Sequence, residues 1–396
     1  MNVLVINAGS SSLKYQLINM VDQQVLCKGQ VERIGIEGSF LKQKGGAEEA
    51  DIHAEIKNHN DAIQMVLEAL TDAKHGVVKS LEEIDAVGHR VLHGGEKFAD
   101  PVLVDEQVIH DLEAIVDLGP LHMPANISGI KACQQAMPVP QVAVFDTGFH
   151  QTMPPKAYLY GLPYEAYEKH KVRRYGFHGT SHLFVSQRAA ELRGTEKGRM
   201  ITCHLGNGSS LCAILDGKCM DTSMGLTPLE GVVMGTRSGD MDPAIVKFIM
   251  EKEHKTIEEM DHYLNKESGV YGLSGVSSDF RDLAKAAAEG HRRAILALDV
   301  FIYRIQKYIG AYAAALGGVD TLVFTAGIGE NDAKMRKDIL TGMEWLGIQL
   351  DDEANQRRGE HKISAPDSKV EVWVIPTNEE LVIARDTVRL AKQAKA

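Results

Sequence analysis

Met1-Asn-Val-Leu-Val-Ile-Asn-Ala-Gly-Ser-Ser-Ser-Leu-Lys14 opens the chain, an aliphatic run that breaks abruptly into small and polar residues. Val3, Leu4, Val5 and Ile6 read as a strand. Asn7, Gly9, Ser10, Ser11 and Ser12 read as a tight loop whose backbone N–H groups and hydroxyls can approach an anion closely. Lys14 adds a point charge just beyond. An ordinary hairpin turn with a solvent-facing lysine would fit the same residues.

A second copy of the pattern decides between them. Met200-Ile-Thr-Cys-His-Leu-Gly-Asn-Gly-Ser-Ser-Leu-Cys-Ala-Ile-Leu215 again runs from a strand into a small-residue loop and a return strand. Setting Ser11-Ser12-Leu13 against Ser209-Ser210-Leu211 also pairs Leu17 with Leu215. A further polar turn follows each copy, Val21-Asp-Gln-Gln in one and Asp216-Gly-Lys in the other. Two such hairpins, one per half, predict two related domains facing each other across a nucleotide.

At 396 residues the chain is long enough for two domains with substantial cores. A net charge of −11 without a long basic run argues against a nucleic-acid scaffold. There is no cationic leader and no apolar run of membrane-spanning length, so neither secretion nor a membrane partner is expected. Cys27, Cys133, Cys203, Cys212 and Cys219 are odd in number and scattered, which fits free thiols in a reducing cytoplasm.

Strands and helices alternate, an α/β signature. Ile63, Val66, Leu67 and Leu70 recur at helical spacing over 60–71, and strands are expected at 86–92, 141–145, 321–325 and 370–375. Ile295, Leu298, Ile302, Ile305, Ile309 and Tyr312 form a stripe on a helix over 292–316, read as core or subunit-interface packing. Prolines 138, 140, 154, 155 and 163 mark a boundary near residue 150. The expected domains are therefore 1–149, rejoined by a terminal helix over 380–396, and 150–379.

No Walker-type loop is present, and Gly327-Ile-Gly329 lacks the third glycine of a dinucleotide fingerprint. A nucleotide must be held by other glycine loops: Asn7–Ser12, His204–Ser210 and Gly327–Asn331. The last follows a strand and opens a helix, the edge where open α/β sheets bind ligands. Arg90 and Arg237 sit among small residues, where a guanidinium can fork onto carboxylate or phosphate oxygens; a structural ion pair is the plain alternative. His178 and His182 stand four apart like zinc ligands, but the Glu of a zinc-protease helix is missing. A histidine among Gly, Thr and Ser suits hydrogen bonding to developing negative charge, and His122 and His204 could do the same. Asp146 ends an apolar strand, where a carboxylate needs a cation or donors. Glu379 lies in the first turn of a helix, where Thr377 and Glu380 could form a capping box. With Asn7, these acids could hold Mg²⁺.

Several longer stretches give the chain a resemblance to the acetokinase family of the sugar kinase, Hsp70 and actin superfamily. They are Val3–Lys14, Gly225–Asp240, His204-Leu-Gly-Asn-Gly208, Ser278-Asp-Phe-Arg281, Gly327-Ile-Gly-Glu-Asn331 and Thr377-Asn-Glu-Glu380. The resemblance implies two duplicated actin-like (ribonuclease H-like) α/β domains with mixed sheets flanked by helices and a cleft between them. It also implies a homodimer, a cytoplasmic enzyme, and reversible phosphorylation of acetate by ATP to acetyl phosphate and ADP. Mg²⁺, for which Mn²⁺ can substitute, would be held by Asn7 and Glu379. Lys14, Ser10 and Ser12 would meet nucleotide phosphates. The remaining ATP contacts would come from His204, Leu205, Gly206, Asn207 and Gly208, from Asp279, Phe280 and Arg281, and from Gly327, Ile328, Gly329, Glu330 and Asn331. Arg90 and His122 would hold the acid, and His178 and Arg237 the transferring phosphoryl group.

Physics refines the role of Asp146, the family's acid/base or positioning residue. Acetate is already ionised at neutral pH, so no base is needed and Asp146 is expected to orient Arg90, a water or Mg²⁺. Leu92, Phe177 and Leu121 are expected to line the acyl pocket, with Leu92 crowding longer acids. A propionate kinase is the rival of the same class; an ATP-driven actin- or Hsp70-like binding module and a zinc hydrolase are rivals of other classes.

Overall fold

The computed structural model describes residues 1–394 and divides into two compact units, Met1–Gly148 together with the segment from Asn378, and Phe149–Thr377. Unit 1 holds β1 (Asn2–Ala8), β2 (Ser12–Asn19), β3 (Gln24–Glu32), β4 (Phe40–Lys44), β5 (Ala50–His53), β6 (Ala86–Val91), β7 (Val102–Leu103) and β8 (Gln141–Phe145). They form one sheet in the order β5-β4-β3-β2-β1-β6-β8-β7. Unit 2 holds β9 (Arg199–Leu205), β10 (Ser209–Leu215), β11 (Lys218–Thr222), β12 (Thr321–Thr325), β13 (His361–Lys362) and β14 (Glu371–Val374), ordered β11-β10-β9-β12-β14-β13.

The duplication is explicit in these orders. Each sheet has an antiparallel meander (β3-β2-β1 and β11-β10-β9) continued by two strands parallel to its first strand (β6-β8 and β12-β14). Parallel strands require crossovers, and helices supply them in both units. These are the two duplicated actin-like α/β domains anticipated from the sequence, with mixed sheets flanked by helices.

The hairpins correspond with one adjustment. The last paired residues before the turn are Ala8 and Leu13 in β1–β2 but Leu205 and Ser209 in β9–β10. Strand pairing thus matches Leu13 with Ser209, two residues away from the sequence match of Leu13 with Leu211. A slip of two keeps every side chain on its face, so the alternation looked the same in either register.

The helix at 60–71 is observed as His59–Thr71, with Asn58 accepting from the Asp61 amide at its start. The long helix is Arg292–Leu316, closed by Gly317 at φ +70°. Its buried face is Ala294, Ala297, Phe301, Ile305, Ile309 and Tyr312. The predicted stripe is correct from Ile305 onward. Before that, Ile295 is exposed and the smaller alanines turn inward, because the helix's N-terminal half is apolar on more than one side.

The terminal helix Glu379–Ala394 packs on the first sheet, where Ile383 and Ala384 join Val3, Val5, Ile18, Val142 and Val144 in one apolar cluster. Gly88 on β6 permits this contact. A Cβ there would stand 2.4 Å from Thr387 Oγ1 and 2.7 Å from Ile383 Cγ2. The expected Thr377–Glu380 capping box does not form; Asn378 Oδ1 accepts from the Leu381 amide instead. Thr377 is engaged elsewhere, its amide donating to Glu330 and its hydroxyl bonded to Ser181.

Candidate active site

In unit 1, β6 and β8 run parallel, with Arg90 paired to Val144, and Asp146 stands just past the end of β8. Arg90 Nε donates to Asp146 Oδ1 at 2.9 Å and Nη2 to Oδ2 at 2.8 Å. Asp146 is 1 % exposed, so this fork fixes the guanidinium from a buried base. The neighbouring carboxylates of Asp146, Glu379 and Glu380 raise the Arg90 pKa and keep it charged. Of the three partners considered for Asp146, Arg90 is in contact with it here.

Glu379 is half-buried, and burial first, then the charges of Asp146 and Glu380, pushes its carboxyl pKa up against the opposing pull of Arg90. Its Oε1 has no hydrogen-bond partner. Asn7, at the end of β1, lines with Lys14, Lys28, Lys42, Lys44 and Glu380 a cavity of about 320 Å³. An orphaned carboxylate oxygen beside an excess of acids is an environment that a hard divalent cation fits.

Asn126 was not singled out in the sequence, yet it ties this edge together. Its Oδ1 accepts from the Leu92 amide at 2.9 Å and its Nδ2 donates to the Ala8 carbonyl at 2.6 Å. Only its position on a helix otherwise burying Ala, Ile and Cys hinted at a role. Leu92 is half-buried beside it. Leu121 is 63 % exposed, and His122 is also exposed at the start of the helix Met123–Ala136. Ser10 is exposed in the turn, where the Gly9 amide donates to the Ser12 carbonyl.

In unit 2 the site is built on imidazoles and hydroxyls. His178 precedes the helix Gly179–Arg193 with φ +55°, a left-handed conformation uncommon for a residue with a side chain. Its Nδ1 lies 2.9 Å from Ser210 Oγ; that hydroxyl lies 2.8 Å from His182 Nε2, and His182 Nδ1 lies 2.7 Å from Thr202 Oγ1. His204 stacks on His178 with ring centroids 4.0 Å apart, and its Nδ1 is bonded to Ser181 Oγ. Burial, with the neighbouring His150 and His204, drives the His182 pKa well below its usual value, so that ring is neutral. His178 and His182 therefore converge on a serine hydroxyl and do not form the zinc pair their spacing allowed. Ser210, Thr202 and Ser181 are partners that sequence reasoning did not assign to this network.

Arg237 is half-buried, and this partial burial lowers its pKa. Its printed contacts are weak: the Pro228 carbonyl at 3.4 Å and Met234 Sδ at 3.9 Å. No carboxylate lies within ion-pair range of it among the described residues. Arg237 and His178 meet over Gly208, where a Cβ would stand 3.3 Å from Arg237 Nη1 and 3.5 Å from His178 Cε1. The backbone of Gly206–Gly208 thus leaves open a space bordered by a cation and an imidazole, which is a cradle for an anion.

The other expected nucleotide contacts lie in unit 2. Asp279 accepts from the Arg281 amide at the start of the helix Phe280–Ala288 and pairs with the exposed Arg281 side chain, which holds its pKa down at about 2. Gly327–Asn331 is not an open loop; Ala326–Asn331 is helical from its first residue. Glu330 Oε1 accepts from the Ala326 and Thr377 amides, and the buried Arg336 donates to the Gly329 and Glu330 carbonyls. Leu205, Phe280 and Ile328 bury their side chains in the core, leaving their backbones for any ligand. Phe177 is likewise fully buried, and its carbonyl accepts from His150 Nε2.

Comparison with known proteins finds relatives over nearly the whole chain. The acetokinase family matches residues 2–385. The acetate kinase of Treponema denticola is 62 % identical over 99 % of this chain and 100 % of its own length. A crystal structure of Porphyromonas gingivalis acetate kinase superposes with a TM-score of 0.95 at 50 % identity, covering 98 % of this chain and 99 % of that one. A propionate kinase structure from Francisella tularensis follows at 0.92 and 43 % identity, with the same coverage. The repeated sheet topology, the opening strand and loop and these full-length likenesses lead to one conclusion: the chain belongs to the acetokinase family, and it is a kinase.

Proposed function

We propose that the protein catalyses reversible, Mg²⁺-dependent transfer of the ATP γ-phosphoryl group to acetate, giving acetyl phosphate and ADP. The observation that carries this reading is Arg237, a half-buried guanidinium without a carboxylate partner among the described residues, converging with His178 on the space above Gly208. A partly desolvated cation with no carboxylate beside it favours an arriving anion. Arg237 and His178 then stabilise the charge that spreads over the phosphoryl oxygens during transfer.

The hydrogen-bond chain gives His178 a direction. A Thr202 hydroxyl donating to His182 Nδ1, His182 Nε2 donating to Ser210, and Ser210 donating to His178 Nδ1 form a consistent sequence. His178 then carries its proton on Nε2, as a neutral donor needs to. Arg90, gripped by Asp146, holds the acetate carboxylate, which attacks without deprotonation. His122 assists there, and Leu92 and Leu121 bound the methyl group.

Asn7 and Glu379 would hold the Mg²⁺, for which Mn²⁺ can substitute. When bound, the ion offsets phosphate charge. Lys14, Ser10 and Ser12 would meet nucleotide phosphates. His204–Gly208, Asp279–Arg281 and Gly327–Asn331 would hold the rest of ATP. Exposed Ile295, Leu296 and Tyr303 on the long helix support a homodimer. No helix among the described residues is long and apolar enough to cross a membrane, and we place the enzyme in the cytoplasm.

A hydroxamate assay for acyl phosphate, run with ATP, Mg²⁺ and a series of short acids, tests the reaction. Acetate is expected to be the best substrate, with propionate roughly 5- to 100-fold lower in kcat/KM because of Leu92. A preference for propionate or butyrate would overturn the acetate assignment. ATP hydrolysis indifferent to added acid would overturn the kinase mechanism.

A further inference from the structure

At the β10–β11 hairpin lies a second cluster of reactive side chains. Cys212 on β10 and Cys219 on β11 are fully buried, with their sulfurs 3.4 Å apart. His150 Nδ1 stands 3.2 Å from Cys219 Sγ and 3.9 Å from Cys212 Sγ. We infer that His150, Cys212 and Cys219 form a binding site for a thiophilic divalent cation of the zinc type, separate from the Mg²⁺ of the proposed reaction.

Geometry is the first support. Zinc–sulfur and zinc–nitrogen bonds of about 2.3 and 2.0–2.1 Å at tetrahedral angles set ligand atoms roughly 3.5–3.8 Å apart. The observed triangle of 3.2, 3.4 and 3.9 Å brackets that spacing, so an ion enters with shifts of a few tenths of an ångström. A disulfide would instead draw the sulfurs in to about 2.05 Å, a much larger movement.

The outer contacts agree. A carbonyl can only accept, so the Phe177 carbonyl at 2.9 Å fixes the proton of His150 on Nε2. Nδ1 is thereby presented to the sulfurs as a lone pair, the arrangement by which a backbone carbonyl orients a metal-binding imidazole. Charge selects the ion. Two thiols that each release a proton become two thiolates, which neutralise one divalent cation, and the neutral imidazole adds none. Sulfur and imidazole donors favour zinc-type ions over Mg²⁺, which takes oxygen ligands. Zinc commonly takes a fourth donor, which a water or the Asp221 carbonyl, 3.6 Å from Cys219 Sγ, supplies. The sheet edge offers the route of entry, since β11 is the terminal strand of its sheet.

Cd²⁺ is the probe. The full-length protein, unfolded and refolded with Cd²⁺ and then dialysed, is expected to retain one ion per chain and to show the ultraviolet absorption of cadmium thiolates. Cys212→Ser and Cys219→Ser should each abolish that band, while Cys203→Ser, a buried thiol outside the cluster, should keep it. X-ray absorption of the loaded wild-type protein needs no variant and should show a shell containing two sulfurs. Absence of the band in the refolded wild-type protein, its survival in both serine variants, or a shell of oxygen and nitrogen alone would each overturn the assignment.

Discussion

The two turn hairpins are one structure with two kinds of chemistry. One step in from the last pair before the turn, the first sets Asn7 against Lys14 and the second sets His204 against Ser210. Asn7 and Lys14 are half-buried and exposed; His204 is 8 % exposed and Ser210 is fully buried. The reason is coverage. β10 is buried from Ser209 to Ile214, and the helix after His178 brings Ser181 and His182 into contact with it and its neighbour β9. β2 instead alternates buried and accessible residues, leaving its charged side chain in a wet cavity. A duplicated scaffold can thus give one copy an accessible edge and the other a buried network of directed hydrogen bonds.

If the buried copy carries the charge stabilisation, its cation should matter most. Arg237→Ala is expected to lower kcat by roughly 10²–10³-fold while moving the ATP KM far less. Near-normal turnover would remove Arg237 from the reaction and shift the electrostatic burden to the unit 1 edge.

Acid provides a second comparison, because each unit buries a neutral imidazole. Burial lowers the His89 pKa in unit 1 to about 4, against a hydrogen bond with Gln141 that raises it, and drives His182 in unit 2 well below its usual value. A histidine with a depressed folded pKa favours the fold above its unfolded pKa, and that contribution is lost as pH falls. For His89 the loss runs between about pH 6.5 and 4 and integrates to roughly 3 kcal/mol. Thermal midpoints recorded from pH 7.5 to 5 should therefore fall, and a His89→Gln variant should fall less steeply. Equal slopes for the two proteins would contradict the assignment for His89.

The finest comparison concerns Ser210, which occupies the place that Lys14 takes in the first hairpin. Ser210→Ala interrupts the chain from His182 to His178 and is expected to reduce kcat about tenfold with the ATP KM unchanged. Ser210→Thr, which restores the hydroxyl, should recover much of the loss. A uniform loss of folded protein in both variants would assign Ser210 to structure alone.

Much of this was legible in the sequence, for reasons that are local. Strand-to-turn transitions announce themselves through aliphatic runs ending in Gly, Asn and Ser, so both hairpins could be found without a structure. Arg90, Asp146, His178 and Arg237 stood out because ionisable residues among small neighbours need a reason to be there. The rest depended on pairs distant in sequence. Asn126 acts through Ala8, 118 residues away, and Ser210 meets His182 across 28. No periodicity encodes either contact. Phe177 and Leu121 were expected to line one acyl pocket with Leu92, yet one is fully buried and the other largely exposed. The capping box failed because Asn378, one residue later, caps the helix while Thr377 serves Glu330 and Ser181.

The helix Glu379–Ala394 gives the order of synthesis a consequence. It covers Val3, Val5, Val142 and Val144 of unit 1, and it carries Glu379. During translation the second unit is complete before that cover emerges from the ribosome, while the first waits with an apolar sheet face bare. A carboxylate assigned to the metal therefore arrives with the segment that closes the first fold, so a prematurely terminated chain would be both unfinished and inert.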